Sequence, residues 1–309
     1  MRGDPHKSAG ITIIELVVVV SLLAIISAVA ALVLRGPLQA YADTSRRAEL
    51  TDQADTALRR IGRDLRSALP NSIRVISGAT TYLEFFPVRT AGRYRAEGTG
   101  TADPLSFNAT DTTFNILGTP SSAPGQVIQA NDILVVRNDA SAATDVRANA
   151  YTYNQSGAGF NCTVANGANC NTATITGAPA ATADPNEFKL TFGSRQFNFD
   201  TTAGRGFGSP GNRFYVVTQP VTYVCAPSNV LDASGNSPGT LKRVTNYGVT
   251  LAQPTPAGGD LVAGNVSACT IGYSANVSGY TGLVVLKLSL TRGNETVSLY
   301  HEVHVNNAP

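Results

Sequence analysis

Ile11-Thr12-Ile13-Ile14-Glu15-Leu16-Val17-Val18-Val19-Val20 opens a stretch of 24 residues that ends at Leu34 and carries one charge, Glu15. From Leu16 to Leu34 there is no charge, and only Ser21 and Ser27 interrupt the apolar residues. Wound as an α-helix rising about 1.5 Å per residue, such a stretch covers about 36 Å, more than the roughly 30 Å hydrocarbon core of a bilayer. A core strand or a buried globular helix seldom runs so long, so the stretch reads as a membrane-spanning helix. A secretory signal would have a shorter apolar region, with its small-residue cleavage site beyond it. Here Ser8-Ala9-Gly10 stands in front. Glu15 is the anomaly, because a carboxylate at membrane depth costs roughly 2.5–3.5 kcal/mol on insertion scales and is kept for a partner or a function. Basic residues flank both ends (Arg2 and Lys7, then Arg35, Arg46 and Arg47), with Asp4 among the first, so orientation does not follow from counting them.

The segment Gly10-Ile11-Thr12-Ile13-Ile14-Glu15-Leu16-Val17-Val18-Val19 resembles the N-terminus of type IV pilins and type II secretion pseudopilins. The resemblance implies that a prepilin peptidase cuts between Gly10 and Ile11 on the cytoplasmic side. Ile11 then becomes the N-methylated first residue, and the apolar helix stays in the protein. Ile11 stands where that family usually has Phe. In physical terms, cutting creates a cationic amine at Ile11, four residues from Glu15, and methylation keeps its charge. In a low dielectric that amine offsets the cost of the carboxylate. Within one helix Glu15 could meet its own amine. In the family the favoured partner is the amine of a neighbouring subunit, which makes Glu15 an assembly residue. A plainer role, an acid complementing the helix dipole, would be worth about 0.3–1 kcal/mol. The resemblance further implies a leader peptide over residues 1–10 and a transmembrane helix over 11–35. Its implied partners are prepilin peptidase, the lipid bilayer before assembly, an inner-membrane assembly platform, and other pilins contacted through the helix. The implied location is the inner membrane of a Gram-negative bacterium, single-pass with a periplasmic head, and a pilus or pseudopilus after assembly.

Beyond the membrane stretch, Gly36-Pro37 predicts a kink or short break, because Pro removes a helix hydrogen bond and clashes with the preceding turn. Helical patterning resumes over Leu38 to Leu69, making 36–69 the amphipathic half of the helix. On a wheel of ~100° per residue, Leu50, Ala54, Ala57, Leu58, Ile61, Leu65, Ala68 and Leu69 share one apolar sector, while Asp52, Asp55, Arg59, Arg63 and Arg66 lie opposite. Asp55 and Arg59 have the spacing and order of a surface ion pair. The arginine stripe could touch phosphate or an acidic face of a neighbour, but Asp52 and Asp55 share it, and a solvated helix face is the preferred reading. Pro70-Asn71 ends the helix.

From Ser72 the period changes to two, and 70–309 reads as a β-rich head. Strands are expected at Ile73–Ile76, Tyr82–Phe86, Ile133–Arg137, Phe188–Phe192, Phe214–Val217 and Val221–Cys225. The clearest hairpin has Leu286, Leu288 and Leu290 on one arm. Arg292-Gly293-Asn294 forms the turn, and Val297, Leu299, His301, Val303 and Val305 return on one face. Gly98–Asp103, Gly118–Gly125 and Asn154–Pro185 read as long exposed loops. The fold class is α+β: a long N-terminal helix packed on an antiparallel β-rich head, pilin-like. Four cysteines suit an oxidising compartment. Local pairing would join Cys162 to Cys170 and Cys225 to Cys269, one of three connectivities, contributing about 2.6 and about 4 kcal/mol in the chain-entropy model.

Composition excludes other classes. Only 14% of the 309 residues are charged and 43% are hydrophobic, the reverse of a disordered chain. A net charge of +2 is too small for nucleic-acid binding by bulk charge, so nucleic acid is not indicated as a partner. His301 and His304 fall on opposite strand faces and cannot share a metal. Arg205-Gly206-Phe207-Gly208-Ser209-Pro210-Gly211 lacks the Gly-Lys-Ser/Thr of a phosphate loop, and no nucleophile elbow occurs. No catalytic constellation, cofactor or metal is expected, and the chain reads as a non-enzyme. A second resemblance spans scattered patches of the head: Ala68–Val75, Leu83–Val88, Gly92–Arg95, Val221–Cys225 and Val303–Pro309 look like minor pilin O of the mannose-sensitive haemagglutinin (MSHA) pilus. The same layout resembles pseudopilin J of type II secretion. It implies a minor subunit acting in assembly initiation or at the filament tip, major pilins being usually much shorter. The alternatives are a J-like pseudopilin in protein export or a tip binding and adhesion module.

Overall fold

The computed structural model describes residues 12–98, 100, 102–140, 148–157, 160–163, 168–200, 205–278 and 280–309. The leader, Gly10 and Ile11 lie outside the described residues. The chain divides into two compact units, Met1–Glu49 and Leu50–Pro309, and one helix, α1 (Ile13–Arg66), runs through both.

In the first unit every large apolar side chain from Ile13 to Leu38 is exposed. The predicted break at Gly36-Pro37 is absent, and Pro37 lies inside a continuous helix. Pro removes one hydrogen bond from a ladder of many, and the open space around Gly36 places no neighbour in the way of a local adjustment.

In the second unit the strands are β1 (Arg74–Ile76), β2 (Thr81–Phe85), β3 (Val88–Tyr94), β4 (Asp111–Leu117), β5 (Ile133–Val135), β6 (Thr172–Thr174) and β7 (Glu187–Phe197). Then follow β8 (Arg213–Val217), β9 (Val221–Ala226), β10 (Thr240–Val244), β11 (Asp260–Ala263), β12 (Val266–Ser278), β13 (Thr281–Arg292) and β14 (Glu295–Asn306). They form a five-stranded sheet in the order β1-β2-β9-β10-β11 and a three-stranded sheet β12-β13-β14. The third main sheet has eight strands and includes the run β7-β4-β3-β8-β5-β6, which ends at β6. All ladders between labelled strands are antiparallel, and the short strand Ala168–Cys170 runs parallel to β7. The architecture is α+β and pilin-like, a long N-terminal apolar helix packed on antiparallel sheets.

The helix stripe read from the wheel is the buried one. Leu50, Ala54, Ala57, Leu58, Ile61 and Leu65 share a core with the five- and three-stranded sheets. Gly62 permits the closest approach, since a Cβ there would stand 3.1 Å from His301 Nε2 and 3.3 Å from Val303 Cγ2. On the opposite flank half-buried Asp64 accepts from Tyr223 Oη at 2.8 Å and pairs with Arg243 at 3.0 Å. The helix ends at Arg66, short of the expected Leu69. Residues 68 and 69 turn to the sheets instead, with Ala68 bridged to Pro87 and Leu69 N donating to Phe86 O. Pro70 disfavours helical backbone at Leu69, and Asn71 takes a left-handed φ of 57° that Asn tolerates.

Strands β2 and β9 are hydrogen-bonded neighbours, Phe85 opposite Val221, yet residues 88–217 lie between them in the chain. That segment leaves and returns as a second antiparallel pair, β3 and β8, with Val88 opposite Val217. It is therefore an insertion carried on a hairpin. Pro87 and Pro220, which have no N–H to give, interrupt the ladder where the ribbon changes sheet. The insertion has an aromatic core of its own, built on Tyr94, Phe114, Phe192, Phe197 and Phe214. A smaller cluster of Leu69, Phe86, Ile133, Val135, Tyr151 and Val217 joins it to the rest. Gly98–Asp103 and Gly118–Gly125 are loops, and the described residues of both are largely exposed. Asn154–Pro185 corrects the expectation of one exposed loop: it holds β6 and four other short strands, and Cys162, Cys170, Ala173 and Ile175 are fully buried. Polar composition hid this, because Asn171 and Thr172 are buried with their backbones in sheet-like pairing. Disulfides join Cys162 to Cys170 and Cys225 to Cys269, the second stitching β9 to β12.

One buried ion pair ties three segments together. Arg74 on β1 pairs with Glu84 on β2, donates to the carbonyls of Thr250 and Leu251, and lies 3.4 Å over the ring of Tyr151. Tyr247 Oη donates to the same carboxylate at 2.8 Å. Burial pushes the Glu84 carboxyl above its usual range, and Arg74 holds it part of the way back. A raised acid pKa contributes stability that is full below the unfolded value and is lost as pH rises through the folded one. Arg74→Leu, which strands the carboxylate, should cost about 3–5 kcal/mol near neutral pH. The loss should shrink at an acidic pH, because burial favours the protonated carboxyl and Arg74 no longer opposes it. Urea unfolding of the full chain in micelles at both pH values measures it, and equal losses would contradict the assignment to the carboxylate.

Candidate functional site

The candidate site begins at the described start of the chain. Thr12 precedes α1 with its carbonyl accepting from Leu16 N at 3.1 Å and its Oγ1 accepting from Glu15 N at 3.3 Å. Thr12 is thus the N-cap, and Thr12-Ile13-Ile14-Glu15 has the spacing of a capping box. The sequence reading passed over Thr12, although a Thr three residues before a Glu at the head of an apolar run is the signal that finds it. Glu15 sits in the first turn. Its carboxylate has no hydrogen-bond or ion-pair partner among the described residues. Gly10 and Ile11 lie outside them.

The surroundings make that carboxylate singular. Ile13, Ile14, Leu16, Val17, Val18, Val19 and Val20 are all exposed around it. α1 is long and apolar enough to cross a membrane, and none of that stretch is buried by the rest of the chain. In water such a surface is unfavourable by about 25 cal/mol per Å², so the helix requires lipid or the helices of other chains. Either environment withholds solvent from Glu15, a cost that a nearby cation or hydrogen-bond donors would offset.

The second feature read from sequence, the arginine stripe, lies on the solvent side of α1 in the head. Arg59, Arg63 and Arg66 are exposed, and Arg59 pairs with Asp55 at 2.6 Å. His301 faces inward over Gly62, whereas His304 is exposed on the other face of β14. The two histidines are therefore apart, as their spacing on a strand requires. No group of three or more metal-ligating side chains occurs among the described residues.

Residues 5–31 match the family model for the prokaryotic N-terminal methylation motif, a span that includes Gly10, Ile11 and Glu15. No curated protein and no solved structure matches the chain. The N-terminal segment thus carries the type IV pilin-like prepilin signal, a motif of structural subunits that implies processing by prepilin peptidase and assembly with other pilins.

Losing the cap should loosen the first turn selectively. Thr12→Ala is expected to cost about 1 kcal/mol of helix-terminal stability. Amide exchange at Glu15 should then be about fivefold faster in micelles, with the amides from Ser21 onward unchanged. Unaltered exchange at Glu15 would show that Thr12 does not cap the helix.

Proposed function

We propose that this chain is a minor subunit of a type IV filament, of the MSHA-like kind, acting in assembly initiation or at the tip. The observation that carries the reading is the conjunction at its start: the methylation motif spans residues 5–31, and Glu15 is the only charge in the apolar stretch of α1 that follows. In this reading prepilin peptidase cuts after Gly10 and the amine of Ile11 is methylated. The helix over 11–35 anchors the subunit in the inner membrane until the assembly platform passes it into the filament. Glu15 then accepts the cationic terminus of a neighbouring protomer. An ion pair in low dielectric holds the register of adjacent helices more sharply than apolar packing, which tolerates sliding. The head, carried in the periplasm before assembly, works as a structural and binding part rather than as an enzyme.

The insertion over 88–217 favours a minor position. It adds a third main sheet and a core of its own to the part built on the helix, and that bulk suits a subunit used sparingly or at an end. A J-like pseudopilin of type II secretion shares these features. The two part on genetic context, a neighbouring MSHA-type ATPase and prepilin genes against a secretion operon with its secretin.

Gly10→Leu should block cutting, leaving Met1 on the protein and none of it in sheared filaments. Glu15→Leu should be cut normally but incorporated at a level reduced about tenfold or more, since it loses the register contact. Intact-mass analysis of membrane and filament fractions reads both. Wild-type filament protein that retains residues 1–10 would defeat the proposal.

A further inference from the structure

Strand β14 is the outer strand of the three-stranded sheet. It pairs with β13 at twelve consecutive positions without a bulge, from Thr281 opposite Asn306 to Arg292 opposite Glu295. Among the described residues, no backbone hydrogen bond other than those to β13 reaches Thr296–Val305. Exposed edges are normally blunted by shortness, Pro, Lys or a bulge. β14 has none of these. It is a long, regular edge with an open row of backbone donors and acceptors.

What lies beside that edge says what it would take. His301 reaches inward from β14 and lies against α1 at Gly62. Arg59 and Arg66 are three residues before and four after Gly62, on the same side of the helix. With Arg60, Arg63 and His301 they line a groove of about 680 Å³. Arg59 already has Asp55, and Asp64 is taken by Arg243. Arg60, Arg63 and Arg66 make no ion pair with any described residue. A strand added to β14 would lie about 4.8 Å further out, with every second side chain turned to the helix side. Those side chains would enter the space beneath the arginines.

We propose that the β14 edge receives an extended acidic segment of a partner protein. Its backbone continues the β12-β13-β14 sheet along Thr296–Val305, and its alternate carboxylates meet Arg63 and Arg66 in charge-assisted hydrogen bonds. A second copy of β14 does not fit. Its inward positions Glu295, Val297, Leu299, His301, Val303 and Val305 hold a single acid, at one end of the strand, and pairing two such edges would bring two arginine stripes together. The inference is independent of the filament reading, since it needs only the head and a partner strand.

The test uses the full-length protein in detergent micelles and fluorescein-labelled decapeptides. One alternates Thr and Glu. A second has Lys for Glu. A third is the Thr–Glu peptide methylated at alternate backbone nitrogens, which keeps the charge but blocks strand pairing. Fluorescence anisotropy should show saturable binding of the Thr–Glu peptide and none of the Thr–Lys peptide. Backbone methylation, or Arg63→Glu with Arg66→Glu in the protein, should each weaken binding about tenfold. Both arginines are exposed, and an unchanged thermal melt checks that the variant folds. Equal binding of the methylated peptide would reduce the groove to a polyanion surface and overturn the proposal, and so would equal binding by the variant. Absence of saturable binding up to ~1 mM peptide, or displacement of the peptide by self-association of the chain, would also overturn it.

Discussion

The head is organised by the burial of one stripe of α1, Leu50 through Leu65, against two sheets at once. The stripe is narrow, with two alanines and Gly62 among its buried residues, and small side chains let strands approach the helix closely. His301 and Val303 use that space at Gly62. Because β14 comes so near on one flank and Tyr223 and Arg243 grip Asp64 on the other, the helix is held on both sides. The Cys225–Cys269 bridge then ties together the two sheets that the helix covers.

The insertion over 88–217 follows from the same economy of edges. A hairpin between β2 and β9 can carry any amount of chain at its tip, provided the chain leaves and returns side by side. The pair β3–β8 meets that condition, and the joint is sealed by Phe86 against Tyr151, with ring centroids 4.7 Å apart. Tyr151 also donates to Ser72 O at 2.7 Å and lies under Arg74. Buried polar groups cluster at this joint because three segments of different origin meet there, and each brings backbone groups that the sheets alone do not satisfy.

At the other end of the chain the physics is simpler. An apolar helix surface that the chain itself leaves uncovered is favoured against lipid or protein, and a lone carboxylate in it is costly there unless a cation or hydrogen-bond donors meet it. Thr12 frames that carboxylate by capping the turn in which it stands. The motif that spans it is short, and in the proposed reading its chemistry depends on few atoms: the peptide bond after Gly10, the amine its cutting would free, and the acid four residues on.

Local periodicity made much of this legible in the residues alone. The apolar run, the buried stripe from Leu50 to Leu65, the Asp55–Arg59 pair and the β13–β14 hairpin are all properties of neighbours in sequence, fixed at periods of 3.6 or two. The helix end was misjudged by three residues because Ala68 and Leu69 fit the helical sector but were claimed by Phe86 and Pro87 across the fold. The strands within Asn154–Pro185 escaped notice because their burial depends on the remote β5 and β7. Nor does any local pattern show that β2 pairs with β9 across an inserted sheet, or that Glu84 is buried beside Arg74, Tyr151 and Tyr247. Sequence by itself determined the long helix, its apolar stripe and the strands with a clear period of two. Tertiary structure alone decided which strands became neighbours and where an edge was left open, because those choices balance loop-closure entropy against contacts between residues far apart in the chain.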